Sequence, residues 1–543
     1  MARWDCVRKW RFPAPLAAVS ISGTGSETKN EAAPALIGPR HPATMPKPPA
    51  FIERFGLWTG DQAREAQALK RRIELEKPAL IRLAWSDSHG WSRAKAVTVP
   101  AFLGALEAGY NINVATTTLD SASARTFSSF TRGGGMGLDE MTGSPNIRIV
   151  PDPATYRTLP WAPGVGWVLC DEYFNSGVPY HFSQRHLLRR QLERLAEKGM
   201  DAAIGLEVEW YLFRAGEELG PEHLSVPGTR ARPIGTRPVE PGYSYHSESN
   251  MDLMQPVLSE LVSAFENLHL DLRSVENEFG PGQVECTFAP KRAMTAADDL
   301  LLFRTATKQI CRRLGYVATF MCRPGPGGYY SSGWHLHQSL VDAATGANLF
   351  APLGEAEGPL SDLGRSYLGG LMAHAVPSTV FTTPTANGYR RFRPNSLAPD
   401  RVCWAYDHRG AMLRVLGSVG DPAARIENRT GEPAANPYLY IASQIAGGLD
   451  GIENSLDPGP PSDEPYAADR PILPATLGAA LDALDGSDVF RAAFGDVFVD
   501  YYLALKRNEL GRFVTALEAD GRTLADPGEA ITAWEQNEYF DFF

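Results

Sequence analysis

The segment 205–213, GLEVEWYLF, places Glu207 and Glu209 two positions apart inside an otherwise apolar run. In an extended chain, side chains at i and i+2 share a face. Both carboxylates then project together, and Leu206, Val208 and Trp210 crowd the opposite face. Such a segment is one strand of a sheet with an apolar side to bury and an acidic side to satisfy. A solvated strand face and a functional face are equal readings of it at this point.

Composition narrows the setting. The chain has 543 residues, 52 Lys+Arg against 63 Asp+Glu, and a net charge of −11. That length supports a large core and two or more domains. An acidic balance disfavours a dedicated nucleic-acid binder, and no window offers the roughly 18 apolar residues of a membrane helix. Cys6, Cys170, Cys286, Cys311, Cys322 and Cys403 are scattered without a CxxC pair. They form neither a disulfide framework nor a zinc cluster, and they fit a reducing, cytoplasmic setting.

Residues 1–50 are basic at the start, then rich in Ser, Ala and Pro, with no periodic apolar face. They read as a disordered tail or as sequence upstream of a start at Met45, with a transit peptide as the alternative. Structure is expected from Asp61, placed to cap the helix DQAREAQALKRRIELEK. ALIRLAWS, KAVTV and WVLCDEYF read as strands, and residues 183–199 as an amphipathic helix stopped by Gly199. The Gly-rich stretch 128–143 reads as a loop, and without a following Lys-Ser/Thr it is a weak phosphate-loop signal.

Three further clusters bear on chemistry. In VENEFGPGQVECTF, Glu278 and Glu285 bracket a Gly-Pro-Gly turn, as in a metal cage or in a hairpin with incidental charges. In SSGWHLHQSL, His335 and His337 share a strand face just after Gly333, where a ligand can approach the backbone. Arg391, Arg409, Arg414, Arg425 and Arg429 crowd together around Glu427. Arginine forks suit carboxylate and phosphate oxygens, so an anionic small molecule is the expected ligand. Glu207, Glu209, Glu278, Glu285, His335 and Glu427 make a hard donor set, better suited to Mg²⁺ or Mn²⁺ than to zinc. Divalent ions beside arginines are what phosphoryl transfer needs.

In order and spacing these blocks resemble the glutamine synthetase family, class I type. PDPATYRTLPW, the NPYL…GGLDGI helix and the closing WExxEYF extend the likeness from about residue 79 to the C-terminus. The pattern is closest to the γ-glutamyl–amine ligases of the γ-glutamylpolyamine and γ-glutamylanilide kind. The resemblance implies an α+β fold: an N-terminal β-grasp domain (51–175) and a catalytic domain (176–543) with a curved antiparallel sheet. It implies a homo-oligomer, a hexameric ring or a dodecamer, with active sites shared between neighbours. It implies ATP and two to three divalent ions per site. Glu209, Glu278 and Glu285 would hold one metal, and Glu207, His335 and Glu427 another. His337 and Arg425 would lie near the nucleotide, Arg391 and Arg429 on the glutamate carboxylates, and Arg409 and Arg414 on the phosphates. ATP would phosphorylate the γ-carboxylate of glutamate, and an amine would displace the phosphate.

The departures are informative. The family's loop glutamate before Ala-Pro, which helps deprotonate ammonium, is Leu397 here. The family's Phe-Asp-Gly-Ser-Ser stretch supplies a second acid, whereas GYNINVATTT (109–118) contains none. An ammonium ion needs fixed negative charge, so an amine bearing a carbon substituent is the expected nucleophile. The absence of extra carboxylates favours an alkyl or aromatic monoamine over a polyamine. Tyr330 stands where the family has an Asn that helps hold the backbone of glutamate, and the segment ENSLDPGPPSDEPY lacks the family's adenylylated tyrosine. The alternatives are an ammonia-using glutamine synthetase and an inactive ligand-binding sensor or scaffold.

Overall fold

A computed structural model describes residues 49–543 apart from 217, 326–327, 353, 355–357, 468 and 527. The expected tail lies outside the described residues, and Pro49–Phe543 form one compact unit. Regular structure begins before Asp61, with a short helix at Phe51–Phe55. The next helix, Gly60–Glu76, is capped by Thr59 and not by Asp61. Thr59 accepts from Gln62 N while the Gln62 side chain accepts from Thr59 N, a capping box that satisfies two otherwise orphaned amides. Asp61 pairs instead with Arg64 one turn on.

Two sheets organise the unit. The first comprises β1 (Leu80–Ser86), β2 (Ser92–Val97), β3 (Tyr110–Asn113), β4 (Asn146–Pro151), β5 (Arg157–Thr158) and β6 (Val165–Tyr173), in the order β2-β1-β6-β4-β3 with β5 against β6. β1 and β6 run parallel, so the chain crosses over between them, and helix Val99–Ala108 lies on that route.

The second sheet comprises β7 (Met200–Ala215), β8 (Thr236–Pro238), β9 (Leu272–Asn277), β10 (Gln283–Phe288), β11 (Lys291–Arg292), β12 (Tyr316–Thr319), β13 (Trp334–Asp342), β14 (Trp404–Tyr406), β15 (Leu413–Leu416) and β16 (Arg425–Gly431). Its order is β14-β15-β16-β13-β7-β10-β9, with β8, β11 and β12 also on β7. The 16 residues of β7 change partners along their length: β13 covers Met200–Val208, and β12 continues from Tyr211 to Arg214. On its apolar side Val208, Trp210, Trp334 and Trp404 are buried against a continuous hydrophobic core.

Helices close that core. Asp362–Ala373 and Pro437–Glu453 cross where Gly369 and Gly370 meet the backbone of Leu456, Gly447 and Gly451. Arg185 on helix Gln184–Glu197 is buried and ties the first sheet to helix Ala293–Arg313, donating to Asp152, Asp171 and Asp298, each at 2.8 Å. Tyr438 Oη donates to the same Asp298 at 2.8 Å. The five cysteines among the described residues are free and buried.

Candidate active site

Strand register assembles the site. Glu285 of β10 lies opposite Glu209 of β7 and opposite Glu276 of β9, so three acids cross the sheet in one row. Glu207 lies opposite His335 of β13, His337 lies opposite Glu427 of β16, and Glu427 lies opposite Arg414 of β15. Residues from six strands thus reach one face by pairing alone. Glu278 joins them from the turn after β9, where its amide donates to Gln283 O at 2.9 Å.

Glu207, Glu209, Glu276, Glu278, Glu285 and His335 border a cavity of about 960 Å³ together with Arg391, Arg409, Arg414 and Arg429. Glu209 Oε2 accepts from Gln283 Nε2 at 2.8 Å and from Gly333 N at 3.0 Å. Gly333 is required here, because a Cβ would sit 2.6 Å from Arg391 Nη2. Arg391 Nη1 donates to Arg429 O at 2.8 Å, and Arg414 Nη1 donates to Glu427 Oε2 at 3.0 Å. Arg429 also pairs with Glu427, and Arg414 with Asp407.

Burial and mutual repulsion push the acids of the cross-sheet row upward. Glu209 rises to about 8, from burial first and the Glu278 charge second. Glu285 rises to about 10, from burial and then Glu209, Glu207 and Glu278. Glu278 also lies above its ordinary value because of burial. Glu207 moves the other way: burial would raise it, but hydrogen bonds with His335 and His337 hold it well down. His335 is lowered to about 4 by burial and by the Arg429 charge. Carboxylates gathered at such cost fit a hard divalent cation, which relieves burial and repulsion together.

Ligand atoms of Glu207, His337 and Glu427 lie within 4.8 Å of one another, as do those of His246, Glu276 and Glu278. The first group takes His337 alongside the expected pair, while His335 Nδ1 stands 3.3 Å from Glu207 and 3.8 Å from Glu427. The second brings in His246 and Glu276, which the sequence reading passed over. His337 turns toward Arg425, whose Nε donates to its Nδ1 at 3.1 Å. Glu427 is fully buried beneath the cavity wall.

The structure also supplies residues that no motif marked. Tyr245, Phe279 and Tyr329 line the cavity together with Arg323 and Arg393. Tyr243 packs edge-on to Phe279 at 5.1 Å, and Phe279 packs edge-on to Tyr330 at 5.2 Å. Tyr330 Oη donates to Ser396 O at 2.7 Å, immediately before Leu397. Leu397 borders the cavity 59% exposed.

The catalytic domain of glutamine synthetase matches residues 181–522, more than half of the chain and the whole of this site. The chain belongs to the glutamine synthetase family. Membership makes it an enzyme, a carbon–nitrogen ligase that uses ATP and a divalent metal, with the family's curled sheet. This glutamine synthetase homologue is 45% identical over 498 residues to the γ-glutamylanilide synthase of Acinetobacter sp., across 90% of this chain and 98% of that one. It is 34% identical to the glutamate–isopropylamine ligase of Pseudomonas sp., across 67% of this chain and 78% of that one. A solved GmaS–ADP complex superposes with a TM-score of 0.69 at 27% identity, covering 82% of this chain and 96% of that one. Among the described residues no helix is long and apolar enough to cross a membrane.

Proposed function

We propose that this enzyme joins the γ-carboxylate of glutamate to an organic monoamine, alkyl or aromatic, with conversion of ATP to ADP and phosphate. One observation carries the reading: the cavity keeps its complete acidic and arginine walls, yet Leu397 stands where ammonia use calls for a carboxylate. The stretch 109–118 contributes no acid either. The names of the anilide- and isopropylamine-forming relatives point the same way.

Glu209, Glu278 and Glu285 would hold one Mg²⁺ or Mn²⁺, and Glu207, His335 and Glu427 another, with room for a third ion near His246 and Glu276. Bound metal would neutralise phosphate charge. Arg391 and Arg429 are assigned to the carboxylates of glutamate, and Arg409 and Arg414 to the phosphates. Arg425 and His337 are assigned to the nucleotide side. Gly333, expected to leave its backbone open to substrate, is instead buried with its amide on Glu209 and lets the Arg391 guanidinium approach, and Tyr330 borders the amino-acid end.

The γ-carboxylate oxygen attacks the terminal phosphorus of ATP, and ADP leaves. The amine nitrogen then attacks the acyl carbon, the carbon–oxygen bond to phosphate breaks, and nitrogen loses one proton. Fixed guanidinium charge around the acyl phosphate is in place before reaction, which is where electrostatic catalysis draws its advantage. A cytoplasmic ring of six or twelve subunits, with residues 51–175 of one next to residues 176–543 of another, completes the proposal.

Phosphate release with glutamate, ATP and Mg²⁺ across ammonia, methylamine, isopropylamine and aniline tests it. An organic amine is expected to exceed ammonia in kcat/KM by at least about tenfold. Faster turnover with ammonia than with every organic amine would sink the reading. No amine-dependent turnover, with nucleotide still bound, would favour a sensor.

A further inference from the structure

The two positions that depart from the family pattern inside the cavity, 330 and 397, are physically coupled. Tyr330 Oη is bonded to Ser396 O at 2.7 Å, so the side chain at one departure holds the backbone that presents the other. That backbone is strained: Asn395 and Leu397 both sit at positive φ, +58° and +60°. A branched side chain adopts this region only when its surroundings hold it there. A second tether comes from Arg429, whose Nη2 donates to Leu397 O at 3.4 Å. Leu397 is therefore fixed outward at the cavity rim and is not tucked into the core.

The same cavity carries an apolar surface in a place where charge dominates. Phe279 directly follows Glu278, is 40% exposed and lines the cavity. It is the middle member of an edge-to-face series, Tyr243–Phe279–Tyr330, with centroids 5.1 and 5.2 Å apart. Tyr243 is itself held at φ +55°, with its amide donating to Phe279 O at 2.7 Å. An exposed phenyl ring among carboxylates and guanidiniums is poorly served by water and well served by another ring.

We propose that Phe279, the ring of Tyr330 and Leu397 form one subsite for the ring of a primary aromatic amine, with the Tyr330 hydroxyl as a positioning group for the loop that carries Leu397. The inference rests on the amine-ligase reading and narrows its nucleophile. An aromatic amine is neutral near pH 7 and needs no fixed carboxylate, so it draws its binding from dispersion and edge-to-face packing. Phe279, beside Glu278, would place the ring at the rim and the nitrogen toward the acid-lined floor.

The test compares kcat/KM for aniline and methylamine in the full-length enzyme. Phe279→Ala and Tyr330→Ala are expected to lower the aniline-to-methylamine ratio about tenfold or more, and Phe279→Leu to recover it to within about threefold. Tyr330→Phe, which keeps the ring but loses the bond to Ser396 O, is expected to fall between the two. Both amines falling alike in the two alanine variants would overturn the subsite and leave the ligase reading standing. A wild-type enzyme that uses methylamine but not aniline would do the same. Turnover of ammonia alone would overturn the ligase reading itself. A ratio that collapses in Phe279→Ala and recovers in Phe279→Leu supports the proposal, because a folding defect does not discriminate between amines.

Discussion

Leu397 is the side chain on which the proposed choice of nucleophile turns. It borders the cavity with its backbone at φ +60°, tethered on both sides, so a replacement would occupy the same place. Leu397→Glu is expected to raise kcat/KM for ammonium about tenfold and to lower it for aniline by a similar factor, as read in phosphate-release assays. The place of this position at the cavity was legible in the sequence, because a missing acid next to Ala-Pro can be seen without coordinates. Phe279 was not legible in the same way. Its ring enters the cavity through a tight turn, and its neighbours Tyr243 and Tyr330 lie 36 and 51 positions away along the chain in numbers that carry no pattern. Asp61 failed for a local reason. Thr59, two residues earlier, completes a reciprocal bond with Gln62, and a paired cap outcompetes a single one.

At the level of elements, period two identified the strands that matter. The pairs Glu207/Glu209 and His335/His337 do share faces of β7 and β13, because alternation is a property of the strand alone. Register between strands is another matter. That Glu285 faces Glu209, and that His337 approaches Glu207 as closely as 2.8 Å, depends on long-range pairing and on the irregularity in β13 between Trp334 and Leu336. The helices add a sharper constraint. A methyl group on Gly370 would collide with the backbone of Gly447 and Gly451 on the facing helix. Gly370→Ala is expected to cost about 1–3 kcal/mol in chemical denaturation, a typical overpacking penalty, while Gly104→Ala, with nothing within 4 Å of the new methyl, serves as control.

For the molecule as a whole, the acid row links metal, pH and stability. Glu209 and Glu285 keep protons up to about 8 and about 10 when folded, against an ordinary value of 4.5. Between those limits the unfolded chain binds fewer protons, so the metal-free protein loses stability as pH rises toward 8. His335, lowered to about 4, acts in the opposite sense, but its contribution is complete by its ordinary value of 6.5. Metal displaces the acid protons. The Tm difference between Mg²⁺-loaded and EDTA-treated enzyme is therefore expected to widen from pH 6.5 to 8, with affinity tightening by up to about tenfold per pH unit for each proton displaced. A difference that stays flat or narrows over that range would contradict the assignment.

Arg185 carries a different consequence. One guanidinium on helix Gln184–Glu197, fastened to Asp152 just after β4, to Asp171 of β6 and to Asp298 of helix Ala293–Arg313, works as a weld between the first sheet and the two helices. Pulling helix Gln184–Glu197 away would leave buried carboxylates without that cation, at a large electrostatic cost. At the mouth, the 392–398 segment is held instead through its carbonyls, by Tyr330 Oη on Ser396 O and Arg429 Nη2 on Leu397 O.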